Sequence, residues 1–80
     1  MKLVVVVLSN AQADETVEQI LKAGHRVTRL ASTGGLIRQG NTTLIMGVED
    51  SAVDGIQELL RKSAPGALSI VLPLERFERF

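Results

Sequence analysis

The chain has 80 residues, with nine Lys/Arg and nine Asp/Glu that cancel to zero net charge. That size sets one domain with a modest core, and the balance leaves no positive excess for binding a nucleic-acid polymer. With no Cys, Trp or Tyr and only two Phe, the chain has no disulfide framework, no thiolate metal site and no aromatic platform for single strands.

In chain order, Leu3 to Leu8 is a continuous run rich in Val. It reads as a central strand buried on both faces. It is far too short to cross a membrane, and neither the apolar length nor the cleavage site of a signal peptide is present. Ser9-Asn10 reads as a turn or helix cap. A helix is expected over about Ala11 to Ala23, with Val17, Ile20 and Leu21 as its apolar stripe and Glu18–Lys22 as an outer i,i+4 pair. Gly24 suits the C′ position that ends it. His25 to Ser32 reads as the second strand and Thr42 to Val48 as the third. Asp50 or Ser51 caps a second helix carrying Val53, Ile56, Leu59 and Leu60, with Arg61-Lys62 at its negative end. Ser63-Ala64-Pro65-Gly66 breaks the chain. Leu68 to Leu72 is the last strand, closed by Pro73, and Leu74 to Phe80 is a tail.

The order is βαββαβ, a ferredoxin-like α+β arrangement. Right-handed crossovers place both helices on one face of a four-stranded antiparallel sheet. The other face is left bare, yet the first, third and last strands are apolar at odd and even positions alike. A sheet with one wet face alternates. A homo-oligomer that buries the second face is therefore expected, through an interface above roughly 1,000 Å².

The stretch from Leu30 to Thr43 joins two strands and holds Gly34, Gly35 and Gly40. It reads either as a long hairpin loop or as an anion or nucleotide cradle of backbone N–H groups, hydroxyls and Arg38. It is not a Walker loop, because no Gly-Lys-Ser/Thr follows, and not a Rossmann turn, because a strand follows it. The serines have no base at a recognised spacing, no His/Cys/carboxylate cluster has metal spacing, and His25 reads as a solvated edge residue. An enzyme is thus not supported. Arg26 and Thr28 are expected on one face of the second strand, converging with Gly35, Leu36, Ile37 and Asn41 at one sheet edge. The alternative is that Arg26 and Arg29 only flank a surface strand and pair with helix carboxylates.

The run Arg26-Val27-Thr28-Arg29-Leu30-Ala31-Ser32-Thr33-Gly34-Gly35-Leu36-Ile37-Arg38-Gln39-Gly40-Asn41-Thr42-Thr43, followed by Gly47-Val48, resembles the bacterial PII-like cyclic-di-AMP receptors. Their pattern reads much like R-x-T-x-L-x-T/S-T-G-G-F-L-x-x-G-N-T-T. Met1-Lys2-Leu3, Val71-Leu72-Pro73 and Phe77 also fit. The resemblance implies a single PII-like domain over residues 1–80, cytoplasmic and non-catalytic. It implies a homotrimer with sheets facing inward and cyclic di-AMP in the clefts between subunits. Carried over by position, Arg26 and Thr28 contact the ligand, Leu36 and Ile37 pack on an adenine, Gly35 and Asn41 shape the loop, and Gly47 lets the ligand approach.

The chain departs from the family where a long insert usually precedes the last strand, since only Ser63–Gly66 stands there. That insert is where ligand state is displayed to a downstream protein, which these residues do not name. Leu36 and Ile70 replace family aromatics, Gly24 replaces an Asn, and Arg79 replaces a tail amide. Aromatic stacking is worth roughly 1–3 kcal/mol per base, so Leu36 and Ile70 recover only part of it by area. Arg79 offers a stacking or phosphate contact instead. The alternative reading is a PII-like trimer that binds ATP or ADP, or that acts only through protein contacts.

Overall fold

The computed structural model describes residues 1–30 and 40–80, apart from Phe77 and Arg79. Strand β1 (Lys2–Ser9) is followed by helix α1 (Asn10–Lys22), strands β2 (Thr28–Leu30) and β3 (Asn41–Val48), a 3-10 turn over Asp50–Ala52, helix α2 (Val53–Ser63) and strand β4 (Leu68–Pro73). The strands form one antiparallel sheet in the order β2-β3-β1-β4, as the ferredoxin-like arrangement requires.

The register separates two faces. Val4, Val6 and Leu8 of β1 lie beside Leu44, Met46 and Val48 of β3, and these six are buried under the helices. Helix α1 supplies Ala13 and Ile20 to this core, and α2 supplies Ile56 and Leu60. Each Val, Leu, Ile or Met among these contributes about 1.5–3 kcal/mol of transfer free energy when fully buried. The stripe of α1 runs along Ala13, Thr16 and Ile20, so Leu21, one position further round, is exposed and not part of it.

The opposite face carries Leu3, Val5 and Val7 of β1, Ile45 of β3 and Leu68, Ile70 and Leu72 of β4, in continuous cross-strand rows. Nothing among the described residues covers it. Leu30 is 39% exposed, Ile70 41%, Leu72 45% and Leu68 56%. The expected two-sided apolar strands are therefore present, with one side open.

Helix α1 ends in a Schellman motif. The Gly24 N–H donates to the Leu21 carbonyl at 3.0 Å and the His25 N–H to the Ile20 carbonyl at 3.2 Å. Gly24 has φ +90°, a conformation that only glycine adopts cheaply. This cap corrects the expected start of the second strand. His25 is spent on the helix end, and pairing begins only at Thr28, opposite Ile45. Between α2 and β4 the Ala67 N–H donates to the Ala64 carbonyl at 3.0 Å, with Pro65 and Gly66 (φ +88°) in the corners. That is a type II turn. It is tied to α1 by a hydrogen bond from Gln12 Nε2 to the Pro65 carbonyl at 3.2 Å. Neither Asp50 nor Ser51 caps α2 with its side chain. Glu49 stands at the N-cap of the 3-10 turn, and the Asp50 carboxylate instead meets the Met1 ammonium at 3.1 Å.

Candidate functional site

A groove of about 530 Å³ opens where β1 begins, β3 ends and the α1–β2 connection passes. Leu3, Arg26, Thr28, Ile45, Gly47 and Glu49 are among its lining residues. Antiparallel register explains the gathering. Thr28 lies opposite Ile45, and Leu3 lies opposite Gly47. Period-2 alternation puts Ile45 and Gly47 on the open face. Gly47 has no side chain, so the floor between Ile45 and Leu3 stays low. Walls of Leu3 and Ile45 are apolar, while Arg26 and Thr28 bring a guanidinium and a hydroxyl from the neighbouring segment. A guanidinium gives bidentate contact to phosphate or stacks on a ring.

The two arginines of this segment behave differently. Arg29, on the helix side of β2, reaches Asp14 Oδ1 of α1 at 2.6 Å. It fits the structural alternative. Arg26 is exposed, and no described carboxylate lies within ion-pairing distance of it. It remains available to an anion. Arg26 precedes β2 and is not on it, so it shares the groove lining with Thr28 without sharing a strand.

Two of the remaining expected site residues, Asn41 and Ile70, do not join this groove within one chain. Asn41 opens β3 beside Ser9, at the end of the strand remote from Gly47. Six residue-to-residue steps along the strand put them about 20 Å apart. Ile70 lies in the same cross-sheet row as Thr28, Ile45 and Val5, but on the far edge strand. Three strand spacings put it about 14 Å away. Within one chain Asn41 thus stands apart from Arg26 and Thr28. Gly35, Leu36, Ile37 and Arg79 lie outside the described residues.

Sequence reasoning missed Leu3, Ile45, His25 and Glu49 as groove residues. The signal was available in part, because Ile45 and Gly47 are spaced by two on β3 and Glu49 follows two residues later, just past its end. Nearby, the Met1 ammonium holds the Asp50 carboxyl below its usual value by hydrogen bonding and charge, with Lys2 adding a smaller effect. Among the described residues no group of three or more His, Cys, Asp or Glu is placed to hold a metal. No described helix is long and apolar enough to cross a membrane.

The family model for the cyclic-di-AMP receptor matches residues 1–71. The chain belongs to that family. Membership supports a signalling role through binding of cyclic di-AMP, and the groove at Arg26, Thr28 and Gly47 falls within the matched stretch. Among solved structures, this receptor-family chain is similar to a functionally unknown protein from Pediococcus pentosaceus ATCC 25745. The two are 30% identical, with a TM-score of 0.84, over 99% of this chain and 96% of the other.

Proposed function

We propose that this protein is a PII-like signal-transduction receptor that binds cyclic di-AMP without catalysis. In this reading residues 1–80 are one domain that acts in the cytoplasm as a homotrimer, with a ligand cleft where subunits meet. The observation that carries it is the groove that Arg26, Thr28 and Gly47 line together, with Arg26 in no ion pair to a described residue, in a member of the cyclic-di-AMP receptor family. The ligand offers two flat apolar bases and two phosphodiesters. Apolar walls, a hydroxyl and a guanidinium answer to those two kinds of surface.

The trimer explains the scatter of the other residues. Ile70 and Asn41 are too far from Arg26 to touch the same base within one chain, and a neighbouring copy brings them to the cleft. Leu36 and Ile37 close over an adenine, Gly35 shapes their loop, and Arg79 adds a contact from the tail. Burying the open apolar face against two copies supplies the driving force for assembly.

A second reading has its own observation. Groove lining among the described residues is aliphatic, and the α2–β4 connection is a pinned type II turn. A trimer that binds ATP or ADP, or one that acts through protein contacts alone, is consistent with both. Thermal-shift measurements with cyclic di-AMP, cyclic di-GMP, ATP and ADP separate the readings. Ligand at about a hundred times its dissociation constant stabilises the native state by roughly 2.7 kcal/mol per site. Selective stabilisation by cyclic di-AMP supports the receptor, and a response to ATP or ADP alone supports the second reading.

A further inference from the structure

We propose that Glu49 reads the base bound in the groove, accepting a hydrogen bond from the exocyclic amine and so selecting adenine over a purine that lacks it. This rests on the reading of the groove as the cyclic di-AMP site.

The placement follows from β3. The strand ends at Val48, but Glu49 keeps extended backbone with φ −65° and ψ 149°. Ile45, Gly47 and Glu49 therefore continue one face at period two. Successive same-face positions are about 6.8 Å apart. A purine laid over Gly47, where no side chain stands, has Ile45 along the strand on one side and the Glu49 carboxylate on the other. Arg26 enters from the α1–β2 connection, across the groove.

The charges are held apart and unspent. Neither Arg26 nor Glu49 makes an ion pair with the other or with any other described residue. The adjacent acid, Asp50, is occupied by the Met1 ammonium at 3.1 Å. Of this acidic pair only Glu49 is left facing the groove. A carboxylate accepts hydrogen bonds and donates none. It repels a phosphodiester and attracts an amine. The groove thus has a cationic wall for phosphate and an anionic wall for the amino edge of the base, which fixes the direction in which a nucleotide lies. A polar group that hydrogen-bonds its ligand discriminates against an analogue that cannot pair with it.

The test is calorimetric. Wild-type protein and the variants Glu49→Ala, Glu49→Gln and Arg26→Ala are titrated with cyclic di-AMP and with the cyclic dinucleotide of unsubstituted purine. Glu49 is exposed, so its substitution leaves the core intact. Wild type is expected to prefer cyclic di-AMP by at least about tenfold. Glu49→Ala brings the preference to within about twofold, while Glu49→Gln, whose amide oxygen still accepts, keeps part of it. Arg26→Ala weakens both ligands and leaves their ratio unchanged. A Glu49→Ala protein that retains the wild-type preference overturns the inference while leaving the receptor reading in place. Wild type that binds neither ligand overturns the receptor reading, and this inference falls with it.

Discussion

Thr16 shows how one atom shapes this small core. It sits on the buried stripe of α1, fully enclosed, and its hydroxyl has no hydrogen-bond partner among the described residues. A buried unpaired hydroxyl costs on the order of 1–3 kcal/mol. Val has nearly the same shape and no polar atom. Thr16→Val is expected to stabilise the fold by about 1 kcal/mol, read as a higher urea midpoint at fixed protein concentration. An unchanged or lower midpoint would mean that the hydroxyl is satisfied. Nothing in the sequence marked Thr16, because it occupies an apolar position that any residue of similar volume fills. Gly24 was legible for the opposite reason. A helix end that needs positive φ is a local demand, and a glycine after a periodic apolar stripe announces it.

At the scale of elements, the α2–β4 connection departs furthest from what the family resemblance implies. Four residues close it, and the turn depends on Gly66 at φ +88°. A Cβ at Gly66 meets nothing within 4 Å, so Gly66→Ala costs only backbone strain. The loss is about 1–2 kcal/mol, seen as a lower urea midpoint with an unchanged m-value. A larger drop, or a changed m-value, would show that the turn supports more than itself. The length of β2 was not legible, since its propensity runs from Val27 onward but its start is set by the Schellman cap and by where β3 offers a partner. The grouping of site residues was legible only in part. In an antiparallel pair, residues equally far from the connecting loop face each other. Arg26 and Thr28 therefore meet the Ile45–Gly47 end of β3, while Asn41 stays near the loop. Proximity in sequence suggested one cluster, and register splits it.

For the whole molecule, the open apolar face and the divided site have one common explanation. In the proposed trimer a second copy covers the open apolar face and also brings Ile70 towards the groove that Arg26 and Thr28 line. Light scattering is expected to give three times the 8.6 kDa chain mass. Ile70→Asp places a charge on the β4 edge of the open apolar face, where burial without a partner is prohibitive. It should yield a folded monomer, with helical circular dichroism retained and cyclic di-AMP binding lost. An Ile70→Asp protein that remains a trimer would place the interface elsewhere.

The most direct test of the central claim is a calorimetric titration of the assembled protein with cyclic di-AMP, beside the same titration of Arg26→Ala. The account predicts saturable binding at one site per subunit, selective over cyclic di-GMP, ATP and ADP. It predicts a loss of at least about tenfold in affinity when the guanidinium is removed, as befits a charge-assisted contact to phosphate. No binding by an intact trimer, or binding that Arg26→Ala leaves unchanged, would contradict it.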